Sequence, residues 1–245
     1  MRLTRIHVAV PLATGSEFAL PESAAAHLSR VLRLGVGDAC ALFNGDGHDY
    51  AARIVAAGKR ELRVVIEAAA VVDRESPLRL VLLQGIARGE KMDLILQKAT
   101  ELGVSAVLPL TSQRSEVKLD DARAGKRHAH WQSVVTSACE QSGRAMVPTV
   151  GAPGSLAVVL AGVPAGGLRL LLDPDGALSL PTLQVPAATP VLLAVGPEGG
   201  WSPLDREQLG AAGFQGLRLG PRILRTETAG LAAIAALQAR FGDLG

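Results

Sequence analysis

The sequence predicts an α/β protein with a mostly parallel sheet, preceded by a small antiparallel β unit. Beyond residue 77, apolar strand-like runs alternate with helical stripes, the pattern of strands joined by crossover helices. Before residue 73, short alternating runs are separated by glycine turns, the pattern of hairpins. The charged segment Asp73-Arg74-Glu75-Ser76-Pro77 marks the change of character, so the expected domains are 1–73 and 74–245.

In the first unit, strands are predicted at Arg5–Val10, Asp38–Phe43, Tyr50–Ala56 and Glu61–Ala69. Gly35, Gly37, the Asn44-Gly45-Asp46-Gly47 turn and Gly58-Lys59 punctuate them. One helix is expected from Glu22 to Leu34. In the second unit, Leu78–Gln84 reads as a buried strand. Met92, Ile95, Leu96, Ala99 and Leu102 then form one helical stripe closed by Gly103. Ser105–Leu110 is the next strand and Asp121–Ser142 a long helix. A short helix follows over Ser155–Ala161, then strands over Leu168–Leu172 and Val191–Val195. A helix from Pro203, a strand over Leu217–Leu219 and a helix over Glu227–Phe241 end the chain.

Composition narrows the function. Apolar residues make up 48% and charged residues 20%, enough for a packed core. Aromatics are 3%, which argues against rows of base-stacking rings. The 20 Arg and 5 Lys face 23 acids, a formal charge of +2, too small for a polybasic binder. Residues 75–150 hold 10 bases against 8 acids, around Arg114, Lys118, Arg123, Lys126, Arg127 and Arg144. A solvated helix face explains these residues, and so does a stripe of RNA-backbone contacts.

Cys40 and Cys139 lie far apart and outside any metal spacing, which argues against disulfide and zinc scaffolds and for a reduced, cytoplasmic setting. Residues 1–18 lack a continuous apolar core, which argues against a secretory signal. The uncharged stretches Ala145–Leu168 and Gly176–Pro197 are each broken by prolines and cannot span a bilayer as helices. No membrane partner and no metal are expected.

Two strand-to-helix loops carry the chemical signal. Val191–Val195 runs into Gly196-Pro197-Glu198-Gly199-Gly200-Trp201-Ser202-Pro203, where three glycines let a ligand lie against bare backbone. Ser202 is the predicted N-cap, Pro203 the first helical residue and Asp205 the third. The second loop, Gly220-Pro221-Arg222-Ile223-Leu224-Arg225-Thr226-Glu227, enters the last helix with Thr226 as its expected cap. Neither loop is GxGxxG and no GxxxxGK[ST] occurs, so the familiar phosphate-binding routes are unsupported. His128 and His130 sit in a basic helix and read as solvent-exposed rather than catalytic.

The segments GPEGGWSPLDREQL, LRLGPRILRTETAGLAAIAALQ and KMDLILQKATELGVSAVLPLTSQRSEVKL resemble the RsmE family of bacterial ribosomal RNA small-subunit methyltransferases. HLSRVLRLGVGD and HAHWQSVVTSACEQSGR are similar to the family too, so the likeness runs along nearly the whole chain. Gln113 before Arg114 and Ile6-His7 depart from its usual pattern. The resemblance implies a SPOUT-type, trefoil-knotted methyltransferase domain behind a small PUA-like β-barrel. It implies transfer of a methyl group from S-adenosyl-L-methionine to N3 of a uridine in 16S rRNA, by a homodimer acting on that RNA or on the small ribosomal subunit.

On that basis the cofactor-binding residues are Leu193, Gly196, Pro197, Gly199 and Gly200 on one wall. Leu219, Gly220, Ile223, Leu224 and Thr226 form the other. Arg225 is expected to stabilise the charge left when the imide proton departs, with Glu198 or Glu227 as carboxylate partner. Arg5, Arg30, Arg33, Arg88, Lys91, Arg114 and Arg144 are the expected RNA contacts. A SPOUT ribose 2′-O-methyltransferase and a non-catalytic ribosome assembly factor are the rival readings. A Rossmann dehydrogenase is disfavoured by the missing dinucleotide fingerprint.

Overall fold

The structure is a computed structural model and describes residues 3–58, 61–117 and 121–245. Lys59 and Lys118 lie outside the described residues. Contacts divide the chain into two units. The first is the chain through Glu75 together with Cys139–Val147, and the second is Ser76–Ala138 with Pro148–Gly245. The linear reading places Cys139–Val147 in the second domain.

In the first unit, β1 (Arg5–His7), β2 (Glu17–Ala19), β3 (Ala39–Phe43), β4 (His48–Ala57) and β5 (Leu62–Val71) form one sheet, ordered β1-β3-β4-β5-β2. All pairs are antiparallel except β1 with β3, which run parallel. α1 (Glu22–Ala26) continues as a single π-helical turn, His27–Val31, slightly short of the expected end at Leu34. Alternation along β4 and β5 puts Tyr50, Ala52, Ile54, Leu62, Val64 and Ile66 inside with Leu28 and Leu42. Both cysteines are free and buried, and burial pushes each thiol up to about 11.

Arg5 and Arg144 are not at an accessible surface, contrary to their expected RNA role. Arg5 is 7% exposed. Its guanidinium holds Asp49 at 2.6 Å and donates to the carbonyls of Cys139 (2.7 Å) and Arg144 (3.0 Å). Arg144 is 5% exposed and paired with Glu75. A buried guanidinium is tolerated only when its donors are satisfied, and these contacts satisfy them. This network brings Cys139–Val147 into the first unit. Replacing Arg5 by alanine strips Asp49 of its partner and is expected to cost about 3 kcal/mol in urea unfolding; an unchanged midpoint would show that the network does not stabilise the fold.

Among the described residues the second unit has eight strands. β6 (Leu80–Gly85) is followed by α2 (Glu90–Glu101), β7 (Ala106–Thr111), α3 (Asp121–Ser142), β8 (Thr149–Val150), β9 (Gly154–Ser155) and α4 (Leu156–Gly162). Then come β10 (Leu168–Leu172), β11 (Leu178–Ser179), β12 (Val191–Val195), α5 (Pro203–Ala211), β13 (Gln215–Arg218) and α6 (Thr226–Phe241). The order is β11-β13-β10-β12-β6-β7-β8, with β9 beside β7, and every pair is parallel. All five residues of β12 are buried, as expected of a central strand covered on both faces. Leu156, Val159 and Leu209 from α4 and α5 pack on one face, against Leu83, Leu192 and Ala194. α6 packs on β6 and β12 and beside α2. No helix among the described residues is long and apolar enough to cross a membrane.

Candidate functional site

Parallel strands end together at one edge of a sheet, and the loops leaving that edge meet there. The loops after β10, β12 and β13 and the starts of α2 and α6 enclose a cavity of about 380 Å³. Its walls carry Val195, Leu217, Leu219, Leu224 and Ala229 as apolar surface, with Asp173, Arg206, Lys91, Glu198, Arg225 and Glu227 as charges. A mostly apolar cavity of this size with a few convergent polar groups suits a nucleoside-sized ligand.

Local sequence chemistry shapes the loop after β12. Gly200 has φ +67° and its N–H donates to the Pro197 carbonyl at 2.8 Å, closing a turn. Ser202 caps α5 through Asp205 N, while the Asp205 carboxylate accepts from Ser202 N, a complete capping box. Gly85, at the end of β6, lies under this loop: a Cβ there would sit 2.4 Å from Pro197 N. Gly199 lies close against Arg114, since a Cβ on it would meet Arg114 O at 2.8 Å.

α6 starts one residue earlier than the sequence suggests. Arg225 holds the cap position without a side-chain capping bond. Thr226 does not cap because its hydroxyl donates to Gly196 O at 2.6 Å and accepts from Gln84 at 3.0 Å. The hydroxyl ties the ends of β6 and β12 to the first turn of α6.

The charges form two groups. Asp173, just past β10, pairs with Arg206. Lys91, in the first turn of α2, lies 3.3 Å from Glu227 and 3.8 Å from Glu198. Glu198 also accepts from Arg88 N at 3.1 Å, so it clips the loop before α2 to the loop after β12. Arg88 pairs with Glu116, and Arg114 donates to Gly199 O at 3.3 Å.

Backbone N–H donation at the start of α6, then Lys91 and Arg225, hold the Glu227 carboxyl below its ordinary value, against the opposing effect of burial. A lowered carboxylate contributes stability that is complete above its ordinary value near 4.5 and is lost as pH falls through the lowered one. Glu227→Gln is therefore expected to flatten the acid limb of the stability profile below pH 4.5 and leave its slope at neutral pH unchanged. Parallel profiles for the two proteins would remove this coupling.

Of the residues expected around a cofactor, Gly196, Pro197, Gly200, Leu219, Gly220, Ile223, Leu224 and Thr226 line the cavity, and so do Arg225 and Glu198. Leu193 and Gly199 do not; Leu193 is fully buried in mid-strand. Arg88, Lys91 and Arg114 gather around the Glu198 loop. Arg30 and Arg33 are exposed in the first unit. His128 is half-buried and bonded to Val150 O at 2.7 Å rather than solvent-exposed, whereas His130 is exposed and meets Asp93 at 2.7 Å. Asp173, Trp201 and Arg206 line the cavity although the sequence reading missed them. For Asp173 the signal was available: it follows an apolar strand, as the two recognised loops do.

A family model for an RNA methyltransferase domain matches residues 74–238, and one for an RNA methyltransferase PUA domain matches residues 20–67. The Buchnera aphidicola (Schizaphis graminum) ribosomal RNA small subunit methyltransferase E is 32% identical, covering 99% of this chain and 98% of its own. The chain belongs to the ribosomal RNA small subunit methyltransferase E family. A member from Neisseria gonorrhoeae, solved bound to S-adenosyl methionine, is 40% identical with a TM-score of 0.94, and the match covers both chains completely. A putative methyltransferase from Legionella pneumophila, solved with bound SAM, is 36% identical with the same TM-score and coverage. The family models give the two parts their class: an RNA methyltransferase domain, α/β in this structure, with an RNA methyltransferase PUA domain ahead of it in sequence.

Among the described residues, no group of three or more His, Cys, Asp or Glu side chains could hold a metal ion.

Proposed function

We propose that this protein methylates N3 of a specific uridine in 16S rRNA of the small ribosomal subunit, with S-adenosyl-L-methionine as donor. The carrying observation is the cavity between the Gly196–Ser202 and Leu219–Arg225 loops, in a chain of this family. Its apolar walls and open backbone fit an adenosine without any phosphate-binding lysine motif. Gly196, Pro197, Gly200, Leu219, Gly220, Ile223, Leu224 and Thr226 form that cradle.

The cofactor supplies an electrophilic methyl group when bound. The protein must favour the uracil that has lost its imide proton, whose charge spreads over the ring oxygens. Arg225, exposed on the cavity wall, meets that charge. Glu198 and Glu227 hold Lys91 at the cavity. Arg88, Lys91 and Arg114 orient the RNA beside the cavity, and residues 1–73, with Arg30 and Arg33 exposed, form the RNA-binding domain ahead of the 74–245 catalytic domain.

The same reading includes the trefoil knot, a cytoplasmic setting and a homodimer. Ile223, 86% exposed at the cavity, is the kind of apolar side chain a second copy would cover. Mass spectrometry of rRNA from cells with and without the gene tests the reading. Loss of one 3-methyluridine, restored by the wild-type gene, is the expected result. Loss of a ribose 2′-O-methyl group instead, or no change in any modified nucleotide, would overturn it.

A further inference from the structure

Six buried side-chain polar atoms among the described residues lack a hydrogen-bond partner, and two of them belong to residues lining this cavity. One is a donor, the indole Nε1 of Trp201, a residue 5% exposed. The other is an acceptor, Oε2 of Glu227, whose Oε1 is the atom facing Lys91. A buried donor or acceptor left unpaired is costly, and native structures rarely keep one without a reason. A donor and a carboxylate oxygen, both unpaired and carried by two residues that line one cavity, suit a ligand that brings an acceptor and a donor together, most strongly if these are charged.

We propose that Trp201 and Glu227 read the amino-acid end of the cofactor, Trp201 Nε1 donating to its α-carboxylate and Glu227 Oε2 accepting from its α-ammonium. This rests on the cofactor reading above and goes beyond it by assigning the cavity's polarity. The adenosine portion offers these atoms only neutral partners, whereas the zwitterionic end offers each a charged one, the stronger hydrogen bond. The neighbouring cations fit the assignment. Glu227 is shared with only one of them through Oε1, so its second oxygen keeps the negative character an ammonium requires.

Calorimetry with S-adenosylhomocysteine and 5′-methylthioadenosine tests this without turnover, because the second ligand lacks the amino-acid end. In the wild type the first should bind more tightly. Trp201→Phe and Glu227→Gln should each weaken S-adenosylhomocysteine by about 10-fold, the scale of a hydrogen bond to a charged group. Both should leave 5′-methylthioadenosine affinity unchanged, which also reports that the variant is folded. Equal losses for both ligands would overturn the assignment and place the two residues at the adenosine. An unchanged ratio with unchanged affinities would overturn it too. Failure of the wild type to bind either ligand would instead remove the cofactor reading itself, and this inference with it.

Discussion

Arg225→Ala is expected to lower methyl transfer by about 100- to 1000-fold, the usual cost of removing one preorganised charge-stabilising donor. The substitution is clean because the backbone of Arg225 does the structural work. Its carbonyl accepts from Thr228 N at 2.9 Å and Ala229 N at 2.7 Å, and its side chain caps nothing. Alanine keeps both main-chain bonds, so α6 should start where it does now and the melting temperature should hardly move. Single-turnover methyl transfer to small-subunit RNA is the measurement, with Arg225→Lys as companion. Lysine restores charge without the planar fork and should recover part of the rate. Near-normal turnover in the alanine protein would take Arg225 out of the chemistry.

Gly85→Ala should have the second large effect, although Gly85 does not line the cavity. A methyl group there would lie 2.4 Å from Pro197 N and 2.8 Å from Gly196 C, both backbone atoms that cannot swing aside. Gly196 is also held from its other side by the Thr226 hydroxyl. Relief must move the whole loop, so the expected cost is about 1–3 kcal/mol of stability from overpacking. Because the displaced loop is a cavity wall, S-adenosylhomocysteine binding should weaken by at least about 10-fold, the affinity equivalent of 1.4 kcal/mol. A variant with unaltered melting and unaltered binding would show that the loop yields freely.

Strand and helix positions in the second unit were legible because they depend on local pattern. β10, β12 and α3 fall where the sequence puts them, since a buried parallel strand is a continuous apolar run and α3 is long. The three-residue β2 and the two-residue β8, β9 and β11 carry no pattern that short. The parallel pairing of β1 with β3 depends on partners remote in sequence, which no hairpin signal encodes. Two glycine loops announced the cavity, but Asp173, Arg206 and Trp201 joined it only through the fold. The arginines were the weakest point. Arg5 and Arg144 look in sequence like Arg88 and Arg114, and only burial beside Asp49, Glu75 and two carbonyls separates a fastener from a candidate RNA contact.

That fastener also bears on the order of synthesis. Arg5 is made before two of its acceptors, the carbonyls of Cys139 and Arg144, which belong to residues more than 130 positions later. The N-terminal unit therefore cannot reach its final bonding pattern while it is the only part of the chain outside the exit tunnel. The chain through Arg144 must emerge first, and until then Asp49, the face of Phe43 and solvent answer the charge of Arg5.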